Sequence, residues 1–393
     1  GHPSQAMTVI GITGTNGKTS VSHWLAQAFS LLGHKAALLG TVGNGFIGQL
    51  TAATHTTPDP VTVQHKLAEY RAEGAQVVAM EVSSHGLDQF RVNGVAFATA
   101  VFTNLTRDHL DYHGDMAAYG ASKARLFHWQ GLRHAVINVD DPFGRELVAS
   151  LADSGVQVFS YGLDGGDITV SQLEASLAGL RLNVRTPWGE GRIESPLLGR
   201  FNAANLLASL GALCANGVAL ADACAALGRI APARGRMQHL GGGALPLVVV
   251  DYAHTPDALD KALATLADIR PAGGKLYAVF GCGGDRDPGK RPQMGGIAQA
   301  RADVAVVTSD NPRSEAPEAI IANILAGMSA PGHVDADRAR AIDWAIAQAQ
   351  AGDVVLIAGK DHEEYQDIAG VKQPFSDFAV AEAALSRWSR QHG

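Results

Sequence analysis

Residues 8–32 constrain the fold more than any other part of the chain. A short β-branched apolar run, Thr8-Val9-Ile10-Gly11-Ile12, leads into a glycine-rich turn, Gly14-Thr15-Asn16-Gly17-Lys18-Thr19-Ser20. Val21, Trp24, Leu25, Ala28, Phe29 and Leu32 then recur at helical spacing, and Gly33 is a C-cap candidate. A buried strand that turns through glycines into a helix is the frame of a phosphate-binding loop. The glycines let backbone N–H groups face an anion, and the helix N-terminus adds its positive dipole end. In that frame Lys18 reaches the β- and γ-phosphates of a nucleotide and Thr19 faces Mg²⁺. The strict eight-residue pattern needs glycine at position 12, where this chain has isoleucine, so the loop is a variant with its glycine at Gly14. The plain alternative, a glycine-rich turn with a solvated lysine, does not account for the flanking strand and helix.

The same texture continues downstream. Lys35–Leu39, Gln76–Val82, Ala98–Asn104 and Ala135–Val139 read as buried strands, and Val61–Glu73 as a helix. Strands alternating with helices predict a parallel sheet covered on both faces. From Ile168 to Ser195 three runs alternate apolar and polar residues, which predicts a small antiparallel insert. Helical patterns over 202–216 and 220–227 restore the α/β texture, and the polar, Gly-rich stretch 232–243 reads as a domain boundary. Strands at 247–250, 276–280, 304–308 and 354–358 then begin a second α/β domain. The expected class is α/β with two domains: a P-loop ATPase-like parallel sheet with a small antiparallel insert over 7–235, then a Rossmann-like C-terminal domain over 236–393. The opening residues 1–7 lack an initiator Met at position 1 and read as a processing or cloning remnant, set aside in reading the fold, with the first strand starting at Met7.

Composition removes several function classes. A chain of 393 residues can bury more than one core without metal or disulfide staples. With 31 basic and 38 acidic side chains its formal charge is −7, which argues against general nucleic-acid or anionic-membrane binding. The longest apolar runs are too short to span a bilayer. Three cysteines with no CxxC spacing read as reduced thiols of a cytoplasmic protein, neither a zinc site nor a disulfide frame.

Candidate chemistry sits just past the predicted strands. Glu81 ends one run and His109 follows another; beside a phosphate loop the two favour Mg²⁺ binding. Taken singly, each reads as a surface group or packing residue. By spacing alone, Lys123 reads as a solvated helical lysine. Three polar loops, Asp251-Tyr252-Ala253-His254, Gly281–Asp287 and Ser309–Arg313, follow strands of the second half. Asp, Asn, Gly and Pro favour turns in any case, but Arg286 and Arg313 suit bidentate capture of a carboxylate.

Together the motifs TGTNGKTS (13–20), TTPD (56–59), EVSSHGL (81–87), TNLTRDHLDYHG (103–114), SKARLF (122–127), GRFNAAN (199–205), DYAHTPDAL (251–259), GCGGDRDPGKRP (281–292) and DNPR (310–313) resemble the Mur ligases over residues 7–393. Within that family the likeness is to the branch that adds meso-diaminopimelate to UDP-N-acetylmuramoyl-L-alanyl-D-glutamate. The resemblance implies an ATP-dependent amide ligase of peptidoglycan precursor synthesis, cytoplasmic and monomeric, acting on small molecules. It implies ATP contacts from Gly14, Thr15, Asn16, Gly17, Lys18, Thr19 and Ser20, and from Asn202, Arg236, Asp251 and His254. Mg²⁺ would be held by Thr19, Glu81, His109 and Lys123, with Lys123 carbamylated, and Lys18, Lys123 and His109 would be catalytic. His55, Thr56, Thr57, Ser83, Gln89 and Arg91 would meet the muramoyl dipeptide. Arg286, Asp310, Asn311, Pro312, Arg313, Gly359 and Glu363 would hold meso-diaminopimelate. Two departures stand out. The family's upstream uridine-binding domain is expected to be missing from this chain, with poorer turnover as a result, and Asp361 replaces the family's usual glycine in Gly359-Lys360-Asp361-His362-Glu363. Folylpolyglutamate synthetase shares the variant loop and two-domain plan but is not expected to carry DNPR. A P-loop module without ligase chemistry would not need the second domain's arginine loops.

Overall fold

The computed structural model describes residues 2–233, 235–360 and 365–392, with Asp111 described in its backbone alone. Two compact units make up the chain: residues 1–174 with 179–233, and residues 175–178 with 234–393.

In the first unit the elements run β1 (Thr8–Thr13), α1 (Lys18–Leu31), β2 (Ala36–Gly40), β3 (Gly43–Phe46), α2 (Pro60–Ala72), β4 (Val77–Glu81), α3 (Ser84–Asp88), β5 (Thr99–Phe102), α4 (Leu110–His113), α5 (Met116–Ala124), β6 (His134–Asn138), α6 (Pro142–Ser150), β7 (Gln157–Gly162), β8 (Ile168–Ser176), β9 (Gly179–Thr186), β10 (Gly189–Ser195), α7 (Arg200–Ala215) and α8 (Leu220–Leu227). One ten-stranded sheet carries them in the order β10-β9-β8-β7-β6-β5-β1-β4-β2-β3. β1 lies between β4 and β5, parallel to both, with Ile10 opposite Ala79 on one side and Thr99 on the other. It is buried from Val9 onward, which explains its unbroken β-branched composition. The antiparallel strands β9 and β10 are not a detached insert: β8 pairs with β7 at Tyr161–Ile168 and carries the central sheet outward.

One face of the sheet packs Val78, Met80, Ala100 and Phe102 against Leu67, Leu126 and Phe127. α7 packs against α1 and against β5, β6 and β7. Its Asn202–Cys214 run is buried almost throughout, as expected for a helix without a polar face. Residues 3–7, set aside in the sequence reading, pack onto the fold, and the first strand starts at Thr8, one residue after the Met7 expected. Pro3–Ala6 forms a 3-10 turn, and Ser4, 1% exposed, accepts the Ala96 N–H at 3.0 Å.

The second unit runs β11 (Gln238–Gly241), β12 (Leu247–Asp251), α9 (Pro256–Ile269), β13 (Leu276–Phe280), α10 (Lys290–Arg301), β14 (Val304–Thr308), α11 (Pro317–Leu325), β15 (His333–Asp335), α12 (Arg338–Gln348), β16 (Val354–Ala358), β17 (Tyr365–Ile368), β18 (Val371–Pro374) and α13 (Asp377–His392). Its six-stranded sheet has the order β11-β12-β16-β13-β14-β15. All its pairings are parallel except β11–β12. β11 lies inside the stretch read from sequence as a polar boundary. The loops after β12, β13, β14 and β16 therefore share the carboxyl edge of one parallel sheet, the usual ligand edge of such sheets. Buried Arg338 braces that edge: it grips Asp377 with two bonds at 2.7 Å and donates to the carbonyls of Ser309 (3.2 Å) and Ala358 (2.9 Å).

Candidate active site

The turn after β1 is shaped by its glycines. Gly14 has φ +148°, and a Cβ there would sit 1.9 Å from Thr103 Oγ1; Gly17 has φ +86°, and a Cβ would sit 2.6 Å from Asn205 Oδ1. The loop is tied to the β5 end, where Asn104 accepts from Thr15 N–H through its carbonyl (2.8 Å) and from Asn16 N–H through its side chain (2.9 Å). α1 starts at Lys18 with no side-chain cap, so its N-terminus has the form of an anion site. Lys18 Nζ folds back to donate to the carbonyls of Gly14 (2.8 Å) and Thr15 (2.9 Å).

Beside the loop, Glu81 is fully buried at the end of β4. Its carboxylate accepts the Thr19 hydroxyl at 3.0 Å and the Thr41 N–H at 2.8 Å. A hydroxyl and a carboxylate in contact are the hard oxygen donors Mg²⁺ takes. Mg²⁺ completes its shell with water and phosphate, so it needs no all-protein cage. Among the described residues no group of three or more His, Cys, Asp or Glu could hold a metal by itself. The donors thus suit Mg²⁺ and would not make a structural zinc site. His109 lies past β5, at the start of α4. Its backbone is left-handed (φ +53°), its Nε2 lies 3.4 Å from Asp108, and its ring meets the edges of His85 (4.9 Å between centroids) and Tyr119 (6.1 Å).

Lys123 is not the solvated lysine its spacing suggested. It is 1% exposed, its Nζ donates to the Gly14 carbonyl at 2.9 Å, and it lies 4.3 Å over the Tyr119 ring. Burial, and then the positive charge of Lys18, push its pKa well below the usual lysine value. Tyr119, missed from sequence, joins the parts: its hydroxyl meets Thr15 Oγ1 at 3.2 Å. The available signal was its place four residues before Lys123, on one face of α5. That helix is capped by Asp115, which accepts the Ala118 N–H at 2.8 Å. Asp115→Ala is expected to lower unfolding stability by about 1 kcal/mol, read from urea denaturation; an unchanged midpoint would show that the cap adds nothing.

Of the expected dipeptide residues, Thr56, Thr57, Ser83, Gln89 and Arg91 form one connected set next to Glu81. The Thr57 hydroxyl donates to the Glu81 carbonyl (3.0 Å) and accepts the Ser83 N–H (3.0 Å). Arg91 donates to the Thr57 carbonyl at 2.7 Å and to Gln89 Oε1 at 2.9 Å. The Thr56 hydroxyl accepts from Thr41 at 3.1 Å, and His55 is exposed. Asn202 is buried beneath the loop, donating to the Leu198 carbonyl (2.8 Å) and accepting from Asn205 (3.1 Å). Asn205, also missed from sequence, is the member of this pair that reaches Gly17.

In the second unit the loop after β12 makes a stacked platform. The Arg236 guanidinium lies 4.6 Å over the Tyr252 ring, and the rings of Tyr252 and His254 are 4.2 Å apart. His254 Nδ1–H donates to the Tyr252 carbonyl at 3.1 Å, and burial lowers its pKa, so the imidazole is held neutral. Asp251 fixes the loop by accepting the N–H groups of Met237 (2.9 Å) and Ala253 (3.0 Å). Such a surface suits a planar heteroaromatic ring. Further along the edge, a Cβ on Gly283 would lie 2.9 Å from Arg313 Nη1 and 3.8 Å from Arg286 Cγ, so this glycine leaves room where the two arginines approach. Arg313 Nη1 donates to the Gly284 carbonyl at 2.7 Å. Asp310, Asn311 and Pro312 are buried, and Gly359 (φ +117°) lies against the Asp310 carboxylate. Asp361 and Glu363 lie outside the described residues.

No helix among the described residues is long and apolar enough to cross a membrane. Residues 12–213 match the Mur ligase middle domain, and residues 235–361 match the Mur ligase glutamate ligase domain. A relative from Chromobacterium violaceum named UDP-N-acetylmuramoyl-L-alanyl-D-glutamate–2,6-diaminopimelate ligase is 70% identical over 392 residues, covering 100% of this chain and 80% of the relative. A solved structure of a ligase with the same name superposes with a TM-score of 0.76 at 43% identity, over 98% of this chain and 79% of that one. Folylpolyglutamate synthase from Mycobacterium tuberculosis, complexed with ADP, gives a TM-score of 0.72 over 100% of this chain and 91% of that one; at 20% identity it shares the fold alone. With both halves matched in order and a relative 70% identical over the whole of this chain, this chain belongs to the Mur ligase family, a family of ATP-dependent amide ligases.

Proposed function

We propose that the chain joins meso-diaminopimelate to the D-glutamate of UDP-N-acetylmuramoyl-L-alanyl-D-glutamate at the expense of ATP. The observation that carries the reading is the Thr19–Glu81 contact directly beside a lysine-closed phosphate loop. The name of the 70% identical relative supports the choice of substrates.

A carboxylate resists attack by an amine, so the γ-carboxylate of D-glutamate first attacks the γ-phosphorus of ATP, giving an acyl phosphate and ADP. The amine nitrogen then adds to the acyl carbon, and the tetrahedral intermediate collapses with phosphate leaving on the C–O electron pair. Lys18 and the α1 N-terminus supply positive charge where the phosphoryl oxygens gain negative charge. Thr19 and Glu81 would hold Mg²⁺, which neutralises phosphate charge when bound. Arg91, braced by Gln89 and Thr57, orients the dipeptide, and the Arg236–Tyr252–His254 platform receives the adenine. Arg286 and Arg313 take the incoming amino acid. On this reading residues 7–235 form the ATP-binding domain and residues 236–393 the amino-acid-binding domain.

Lys123 is expected to carry a carbamate. A neutral amine is the form that adds CO₂, and burial beside Lys18 favours neutrality. The product adds an anionic oxygen group to the amine that meets the Gly14 carbonyl beside Lys18. Native mass spectrometry in bicarbonate buffer should show one added CO₂, lost in Lys123→Ala and after CO₂-free acid treatment. A chain that stays unmodified while fully active contradicts this.

Phosphate release tests the whole reading. It should require ATP and the muramoyl dipeptide nucleotide and rise sharply with meso-diaminopimelate. Equal stimulation by L-lysine, or none by either amino acid, overturns it.

A further inference from the structure

Lys360 has no part in the mechanism above, yet its side chain is wholly buried. It immediately follows β16, and its Nζ donates to Asn311 Oδ1 at 2.8 Å and lies 3.8 Å from Asp310 Oδ1. That Asp310 oxygen is buried and takes no hydrogen bond among the described residues, and Lys360 is a counter-charge next to it. One ammonium thus holds both residues that precede Pro312-Arg313.

The β17–β18 hairpin, which pairs outside the main sheets, holds the same loop from the other side. Asp367 N–H donates to Asn311 Oδ1 at 2.9 Å, and Gln366 Nε2 donates to the Asp310 carbonyl at 2.6 Å. Arg313 N–H donates to the Asp367 carbonyl at 3.0 Å, and Ala369 N–H donates to the Arg313 carbonyl at 2.7 Å. Arg313 is fastened at both backbone groups while in a left-handed conformation, φ +52°. A non-glycine residue stays there only where its surroundings over-determine it. Asn311 Oδ1 is the shared acceptor where the lysine and the hairpin meet.

We propose that Lys360 and the Tyr365–Pro374 hairpin are the positioning element that aims Arg313, and so set the choice of incoming amino acid. The proposal rests on the reading of Arg313 as the amino-acid contact. Lys360 does not touch the ligand. Its charge fixes the carboxylate and amide beneath the loop, while the hairpin locks the backbone from which the guanidinium projects. Such an element belongs to amino-acid recognition and leaves the phosphate loop and the Arg236–Tyr252–His254 platform untouched.

The test is steady-state phosphate release by the wild-type chain, Lys360→Met and Gln366→Ala, with meso-diaminopimelate and L-lysine as alternative amines. Met keeps most of the volume of Lys360 while removing its charge. The expected result for Lys360→Met is a KM for meso-diaminopimelate raised about tenfold to a hundredfold, as for other small displacements of a positioning group. The KM for ATP should stay constant, kcat should change less than KM, and the preference over lysine should fall. Gln366→Ala, part-buried and away from the core, should shift the same constants in the same direction by less, and it carries the test if Lys360→Met does not fold. A lowered melting temperature and kcat with an unchanged KM and preference would mark a purely structural role and overturn the proposal. A wild-type chain that does not prefer meso-diaminopimelate overturns instead the reading on which the proposal rests.

Discussion

Lys18→Ala is expected to lower turnover at least about a hundredfold with little change in melting temperature. The ammonium spans the Gly14 and Thr15 carbonyls and so sits at the mouth of the loop, at the first residue of α1. Charge develops there as the phosphoryl group transfers, and an aligned cation needs no reorganisation to meet it. Alanine is the best helix former, and the loop's shape rests on Gly14, Gly17, Thr103 and Asn104, so the variant keeps the loop while losing the charge. Phosphate release and thermal melting, measured on the same preparation, check both halves of this. A folded Lys18→Ala protein that turns over near normally would remove the phosphate-loop assignment.

The fold was legible wherever burial leaves a one-sided signature. Leu276–Phe280, Val304–Thr308 and Val354–Ala358 are read from sequence at the bounds the structure gives, because strands of a parallel sheet covered on both faces are apolar without alternation. Strands whose pairing depends on backbone alone were not legible. β3 is Gly-Asn-Gly-Phe, with Gly43 at φ +141° and Gly45 at +136°, so it carries neither β-branching nor period. β11 is Gln-His-Leu-Gly at a sheet edge, only part-buried, and its polar sequence looks like a linker. The same limit applies to the site. Motif spacing marks residues at strand ends, so Glu81 and Arg313 stood out. It says nothing of residues that act by holding others. Tyr252, Asn205 and Lys360 become visible only once α7 and the loops after β12 and β16 are folded against their neighbours, and Tyr119 had only its spacing from Lys123 to mark it. Lys123 shows this from the other side: a lysine at an unremarkable helical position is buried because α5 packs its inner face toward the Gly14 carbonyl.

Selection of meso-diaminopimelate over L-lysine is the sharper demand on this chain, because the two differ by a single carboxylate at the distal stereocentre. An apolar pocket cannot reject so small a change strongly, whereas a site built around a guanidinium can, since the wrong ligand leaves it without its partner. Arg313 fits that role: one arm is anchored on the Gly284 carbonyl, and its backbone is fixed by Asp367 and Ala369. Two charge-assisted bonds of roughly 1.5–3 kcal/mol each correspond to a KM for meso-diaminopimelate raised about a hundredfold or more in Arg313→Ala. The KM for ATP should not move. Alanine is the right replacement because it keeps a Cβ at φ +52°, so wild type and variant share the same backbone strain, whereas glycine would relax the loop as well as remove the side chain. Arg313→Lys should fall between the two, keeping the charge while losing the planar fork. In the wild-type chain kcat/KM should favour meso-diaminopimelate over L-lysine by about 10⁴, and in Arg313→Ala that preference should collapse. An unchanged KM in the alanine variant, or a preference that survives it, would move the recognition of the distal carboxylate to another residue, with Arg286 across Gly283 the first to examine.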